Sequence, residues 1–423
     1  MLAYNALSLS MLSQPTCRKL TLWLTAMLLL HVFLGWRSWG GVKIGLPDFT
    51  IFYTAGEVLH EGRGYELYDD AVQEAVQQSF SPVGLRTRGS ILPFNHPPFE
   101  GLAFIPFVRL PYLGAYLVWF GINLGLIFAV LVLLRRNFVN LGTVPFYLWL
   151  LAALGFYPLF IALMQGQDSI FVLFCYTMAF LAFRRGTEWR EGAWVALGLC
   201  KFHLVLPFVF PLVLLRRKKF VAGFVLVAVL LALLGLVAVG WRGSLGYPAY
   251  VLAGENNQTY AWQVAVGHLP NVRGIAEGLC PPGQPRLRIG LILLLCSMLL
   301  IGLTYAVRKG FLVSAVLPQL VFALSLIATA LVSYHIYLHD LSILFLAVLI
   351  VLEALLSNKR FHPWSKRALL SCIGILFCSP VYMFLTMHYK HSELLGAVLL
   401  LFFVVLFVEF LRIQPKVDAP AIS

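Results

Sequence analysis

The residues of this chain that could do chemistry stand at the edges of apolar blocks. Asp48 sits in Leu46-Pro47-Asp48-Phe49-Thr50-Ile51, a few residues past the first such block. Pro47 fixes the approach, and Asp48 is placed to cap a short interfacial helix running into Phe49–Leu59. The same carboxylate, partly desolvated at a membrane boundary, could instead take a proton from an acceptor hydroxyl. Lys201 lies inside the apolar stretch Gly192–Leu215. A lysine at that depth costs about 3 kcal/mol or more unless it snorkels or finds a partner. At the bend of a hairpin its ammonium can face an outer cavity, where a lipid phosphate is a natural counter-ion. His203 follows two residues later. Arg273, in Leu269-Pro270-Asn271-Val272-Arg273-Gly274, is either a solvated loop arginine or a phosphate ligand, being always charged and able to bind bidentately.

Three polar turns complete the set. Gln165-Gly166-Gln167-Asp168 separates two apolar runs. Turn chemistry explains Gly166, and Gln165 and Gln167 with the carboxylate could also line a sugar pocket. Phe94-Asn95-His96-Pro97-Pro98 ends a long polar loop and presents His96. Ser333-Tyr334-His335-Ile336-Tyr337-Leu338-His339-Asp340 carries two histidines four apart, which on a helix share a face. That spacing raises a metal site, but no glutamate stands between them and no third ligand is evident. The readings kept are polar capping, or hydrogen bonds from His335, His339 and Asp340 to a phosphate or to sugar hydroxyls.

Composition fixes the elements that must hold these groups. The chain has 423 residues, 60% hydrophobic and 12% charged, with mean hydropathy +0.86. A soluble chain carries about 25% charge, so a soluble enzyme, a secreted disulfide scaffold and a disordered protein are excluded. Seven cysteines, of which only Cys280 falls in a long loop, imply no disulfide framework. Ten apolar runs have the length of crossings: Leu20–Trp39, Tyr112–Leu134, Val144–Leu163, Ser169–Phe183, Phe220–Gly240, Ile289–Val307, Phe311–Val332, Leu341–Leu356, Ala368–Thr386 and Leu394–Leu411. They are continuous rather than alternating, which selects helices over a barrel. The first is too long for a signal-peptide core and is read as an uncleaved helix. The fold class is an all-α polytopic membrane protein of about 10–12 transmembrane helices, a single domain over residues 1–411 with a cytoplasmic tail, 412–423.

Charge sets the orientation. The net charge of +13 reflects basic cytoplasmic turns, not nucleic-acid binding. With a cytoplasmic N-terminus, a non-crossing Pro97–Leu110 and a hairpin at Gly192–Leu215, every short turn on the inner side is basic: Arg135-Arg136, Arg184-Arg185, Arg216-Arg217-Lys218-Lys219, Arg308-Lys309 and Lys359-Arg360. The long loops, 40–99 and 241–288, then lie outside with the polar turns, where sites are usually built. No internal repeat of the kind found in many transporters is visible.

Taken together, Asp48-Phe49 with Tyr53-Thr54-Ala55-Gly56, Leu67-Tyr68-Asp69, His96-Pro97-Pro98, Gly166-Gln167, Lys201, Leu269 to Gly274, and His335 with Asp340 resemble glycosyltransferase family 87. This is the polyprenyl-phosphate-mannose-dependent mannosyltransferase-like group with the GT-C membrane fold. The chain departs from that pattern at Phe202 and at Asn95-His96. The resemblance implies a lipid-linked sugar donor, a glycan or glycolipid acceptor, no cofactor, inversion at the anomeric carbon, and Asp48 as catalytic base. It also implies no metal, because the leaving group is a lipid monophosphate that cationic side chains can stabilise. Lys201, Arg273 and His335 would meet the leaving phosphate, and His96, Gln165, Gln167, His339 and Asp340 would hold sugar or acceptor. The expected location is the cell inner or plasma membrane, among membrane lipids, with the site on the extracytoplasmic side. A flippase or transporter of lipid-linked precursors and a surface-glycan ligase or polymerase are the alternatives.

The orientation is testable by cysteine labelling in a cysteine-free background. A membrane-impermeant reagent added outside should label Gly254→Cys and miss Thr187→Cys; labelling of the latter would overturn the orientation.

Overall fold

The computed structural model describes residues 14–256, 269–312, 318–358, 360–388 and 391–413. His268, Lys359 and the tail from residue 414 lie outside the described residues. Among these residues every regular element is helical, as expected where the solvent is lipid and each backbone group must be paired within its own segment.

Helix α1 (Gln14–Lys43) delivers the chain to a layer of short helices: α2 (Phe49–His60), α3 (Asp70–Phe80), α4 (Pro82–Arg88) and α5 (Pro98–Leu102). Asp69 caps α3 by accepting from the amides of Ala71 and Val72. The long polar loop expected at 40–99 is therefore mostly helix. As the sequence suggests, Pro97–Leu110 does not cross. It forms α5 and a 3-10 turn at Ile105–Arg109. Phe104 stacks on Phe52, with ring centroids 4.7 Å apart, and so fastens this piece to α2.

The bundle comprises α6 (Tyr112–Asn137), α7 (Phe146–Leu154), α8 (Tyr157–Gln165), α9 (Ser169–Arg184), α10 (Glu188–Leu197), α11 (Phe202–Leu214) and α12 (Lys218–Asn256). It continues with α13 (Val272–Leu279), α14 (Pro285–Leu312), α15 (Gln319–Val332), α16 (Leu344–Ser357), α17 (Pro363–Leu376), α18 (Ser379–Met383) and α19 (Glu393–Ile413). Each of the ten apolar runs carries helix. Two of them are not continuous, as the sequence suggests, but broken: α7 and α8 meet at 64°, and the pair formed by α17 and the helix starting at Ser379 bends by 66°. Pro158 and Pro380 open the second half of each pair. Buried His31 of α1 spans both breaks. One ring nitrogen lies 2.8 Å from the Leu154 carbonyl, the other 2.8 Å from Ser379 Oγ. A side chain thus meets a carbonyl at the end of one broken helix and a hydroxyl at the start of the other.

Helix α12 kinks where the apolar run Phe220–Gly240 ends: the backbone leaves helical geometry at Gly240 (φ 68°, ψ −179°). Beyond Gly240 the helix continues over the short-helix layer, so the described residues of the second long loop are also largely helical.

Residues Glu188–Leu214 are long and apolar enough to count as one span by composition. A straight helix of that length would separate its ends by about 40 Å. Yet Arg217, just past its end, pairs with Glu188 at its start, Nη2 to Oε1 2.9 Å. The segment therefore goes in and returns, as the basic clusters at both ends require. The reversal is a 3-10 turn, Gly198–Lys201, closed by non-helical geometry at Lys201 (φ −112°, ψ 65°). The rising arm packs backbone-to-backbone on α12. A Cβ at Gly192 would stand 2.0 Å from the Phe220 carbonyl oxygen, and one at Gly223 1.9 Å from that of Trp189. Only glycine permits this approach.

Two outcomes follow. Reporters fused after Arg185 and after Lys219 should both read the same side of the membrane; opposite sides would make the segment a single crossing. In addition, Gly192→Val should destabilise by at least about 1–3 kcal/mol, the usual cost of overpacking, read as a lower unfolding temperature in detergent.

Candidate functional site

Five segments converge on one cavity of about 420 Å³, within the usual range for small-molecule sites. They are the start of α2, the loop around His96, the turn after α8, the hairpin tip, and the turn after α15. Asp48, His96, Gln165, Gln167, Lys201, His335, His339 and Asp340 all line it. Of the residues singled out in the sequence, Arg273 does not. Its guanidinium donates to the Tyr334 carbonyl at 2.6 Å, which places it behind the wall that Tyr334 contributes.

Lys201 is 3% exposed and does not snorkel. Its ammonium lies 2.9 Å from Asp168 Oδ1 and 3.0 Å from Asp340 Oδ1, and donates to Gln167 Oε1 at 3.1 Å. Two protein carboxylates thus supply the counter-charge that the sequence reading assigned to a lipid phosphate. Asp340 is itself fixed. Oδ2 accepts from the amide of Tyr337 (2.9 Å), Oδ1 accepts from the Ser169 hydroxyl (3.1 Å), and His339 Nε2 lies 3.4 Å away.

Asp48 does not cap α2. Its backbone is already helical (φ −62°, ψ −16°) and its side chain bonds no amide of the first turn, because a capping residue needs extended geometry to reach back. The carboxylate instead accepts from Gln167 Nε2 at 2.8 Å through Oδ2, and the Asp48 amide donates to Gln165 Oε1 at 3.2 Å. Gly166 makes the turn that allows both contacts. Its φ of +63° is left-handed, and a Cβ there would stand 2.8 Å from that of Phe49.

His335 and His339 do not share a helix face. Residues 333–339 form an irregular turn, so four-residue spacing no longer aligns them. The His335 ring instead meets Tyr337 edge-on at 4.6 Å and faces His203 at 5.9 Å. Asn271 ties this turn to α13. Its Oδ1 accepts from the Gly274 amide, and its Nδ2 donates to the Ser333 carbonyl at 2.6 Å.

Two acids prove central. Asp168, at the N-terminus of α9, was read from the sequence only as a carboxylate that could line a sugar pocket; it pairs with Lys201 instead. Glu100 is 6% exposed and lies 2.8 Å from His96 Nδ1. The signal for it was its position four residues after His96, at the start of a helix. His96, Glu100 and Asp168 offer atoms within 4.8 Å of one another, a spacing a metal could use. The Lys201 ammonium beside Asp168, however, sets a positive charge against any cation there. Burial pushes the Glu100 carboxyl up to about 7, only partly countered by His96, while the Asp168 charge adds to the rise. Burial would raise Asp168 too, but the Lys201 ammonium, helped by His96, brings it down to about 2. Burial lowers the His96 imidazole, and the Glu100 carboxylate more than offsets this, leaving it raised. Tyr68, whose hydroxyl donates to the His96 carbonyl at 2.9 Å, packs on Tyr247 and Tyr250, each with ring centroids 5.3 Å apart.

The signs of these shifts predict a pH dependence. Glu100 and His96 titrate as one pair, which in the fold keeps a proton that the unfolded carboxyl gives up, so the contribution of the pair to stability falls as pH rises from about 4.5 to 7. Depressed Asp168 loses its own contribution only as pH falls from about 3.8 towards 2. The unfolding temperature should therefore decline between pH 5 and 7.5, and Glu100→Gln should flatten that decline. An unchanged slope would remove Glu100 as its source.

The model of glycosyltransferase family 87 matches residues 94–333, more than half of the chain. That span contains His96, Gln165, Gln167, Lys201 and Arg273, while Asp48, His335, His339 and Asp340 flank it. No curated protein and no solved structure matches the chain.

Proposed function

Since the chain belongs to glycosyltransferase family 87, a family of membrane glycosyltransferases, we propose that it moves a hexose, mannose first among candidates, from a polyprenyl-phosphate sugar to a glycan or glycolipid acceptor. The site would face the extracytoplasmic side of the cell inner or plasma membrane, on a GT-C-like scaffold. The observation that carries this reading is Asp48: a carboxylate at the cavity wall, released from capping and held by an amide.

The reaction is a single displacement. An acceptor hydroxyl attacks the anomeric carbon from the face opposite the phosphate. The new bond from acceptor oxygen to carbon forms as the bond to the phosphate oxygen breaks. Asp48 takes the hydroxyl proton, and the lipid phosphate leaves with its charge. His335, on the cavity wall, meets that charge; the Lys201 charge, already neutralised by Asp168 and Asp340, acts through Gln167, and Arg273 stands behind Tyr334. His96, Gln165, His339 and Asp340 hold sugar and acceptor hydroxyls. One carboxylate suffices because the phosphate needs little acid help, unlike the carboxylate pair of most hydrolases. Attack from the opposite face turns a β-linked donor into an α product.

The test is to incubate purified protein with radiolabelled polyprenyl-phosphate mannose and membrane extract, then identify the labelled product. Wild type should form an α-mannoside. Asp48→Asn keeps the size and can still accept from Gln167, yet cannot take the proton, so turnover should fall about 10²–10⁴-fold. Donor binding should change little. Label that crosses a vesicle membrane without transfer would favour a transporter, and near wild-type transfer by Asp48→Asn would remove the assigned base.

A further inference from the structure

We infer that Gln167 is a positioning residue, an amide whose orientation Lys201 dictates and which in turn aims the Asp48 carboxylate; the inference rests on the assignment of Asp48 as base. Gln167 is 3% exposed and both ends of its side chain are engaged by protein. Oε1 accepts from Lys201 Nζ at 3.1 Å, and Nε2 donates to Asp48 Oδ2 at 2.8 Å.

An ammonium has three donors and no acceptor. The end of the amide that faces Lys201 must therefore be its oxygen, and the end that faces Asp48 must be its nitrogen. The flip of this amide is fixed by chemistry, not by a choice between equivalent fits. The ammonium cannot swing away, because Asp168 and Asp340 hold it at 2.9 and 3.0 Å. A buried cation thus polarises an amide that donates to the base, and hydrogen bonds in such a chain strengthen one another.

The geometry has a consequence for the carboxylate. Oδ2 is occupied by Gln167. Among the described residues Oδ1 has no hydrogen bond from protein, and Asp48 lines the cavity. Oδ1 is the oxygen left to receive the acceptor proton. A donor on Oδ2 limits the rotation of the carboxylate. The other charged groups around this pair are few. Arg88 of α4 feels the Asp48 charge, as does His339 from the turn after α15, while His96 and Glu100 approach through Asp168. Gln167 is the group that touches the Asp48 carboxylate directly among the described residues, so a change in it should appear in turnover.

Three variants test this. Gln167→Glu keeps the shape and can still accept from Lys201, but it presents a carboxylate where Asp48 needs a donor. Gln167→Met keeps much of the volume and removes both bonds. Asp48→Asn is the benchmark. Steady-state kinetics with polyprenyl-phosphate mannose should show kcat down about 10–100-fold in both Gln167 variants, with KM for donor and acceptor within about threefold of wild type. In Gln167→Glu the acidic limb of the kcat profile should move to higher pH, since a second carboxylate opposes ionisation of the base. Unfolding temperature is measured alongside, and Gln167→Glu, which retains its partner Lys201, should stay within a few degrees of wild type. Higher KM with unchanged kcat would make Gln167 a ligand for sugar instead and overturn the inference. So would an unshifted acidic limb with normal kcat. If Asp48→Asn itself turns over normally, it is the assignment of the base that fails, a result separable from normal turnover in the Gln167 variants alone.

Discussion

A positive charge buried at the tip of a half-crossing hairpin is the constraint on which the rest of this structure depends. An unpaired ammonium in an apolar interior is too costly to keep, so Lys201 can stand there only if partners come to it. Asp168 comes from the turn before α9, Asp340 from the turn before α16, and Gln167 brings Asp48 from the start of α2. Four segments distant in sequence are gathered by the needs of one side chain. The cavity is the space left between them. Its polar lining is thus a consequence of the same electrostatics that make the hairpin tip tolerable.

The apolar scaffold obeys a parallel rule for its backbone. Where α7 gives way to α8, helical pairing stops inside the bundle, and the imidazole of His31 meets both that end and Ser379. Where α6 gives way to α7, the carboxylate of Glu353 accepts from the amides of Val139, Asn140 and Leu141. At both places the interrupted backbone is met by a polar side chain from elsewhere in the chain. The breaks let α8 bring Gln165 to Asp48.

Much of this was legible in the residues. Long apolar runs gave the crossings, because hydropathy reads helix length directly. Basic clusters at both ends of Gly192–Leu215 gave the hairpin, because charge at the membrane surface reads sidedness. What resisted was pairing across distance. Nothing local to Lys201 says that Asp168 and Asp340 will meet it, and the sequence reading therefore supplied a lipid phosphate as counter-ion. Asp48 preceding a helix reads as a cap, but whether it caps depends on a backbone angle set by Pro47 and the turn before it. The spacing of His335 and His339 presumed a helix that Ser333–His339 does not form. Glu100 escaped notice because its partner, His96, stands on the far side of two prolines.

The arrangement also bears on the choice between transfer and transport. A transporter must hold two arrangements of its core and open the midplane site to each side in turn. Here the groups that would have to part are a buried ammonium and its two carboxylates, together with an amide that joins them to the first outer segment. Separating one partner from a buried ion pair costs about 3–5 kcal/mol, because the charge left behind is uncompensated. An opening that moved the hairpin tip away from α9 and α16 would incur that cost at both carboxylates. A displacement reaction asks the opposite of such a site: the base, the anomeric carbon and the leaving oxygen must be held in line, and preorganised groups contribute most when they do not move. A core pinned through a buried lysine suits chemistry performed in place better than passage through the membrane.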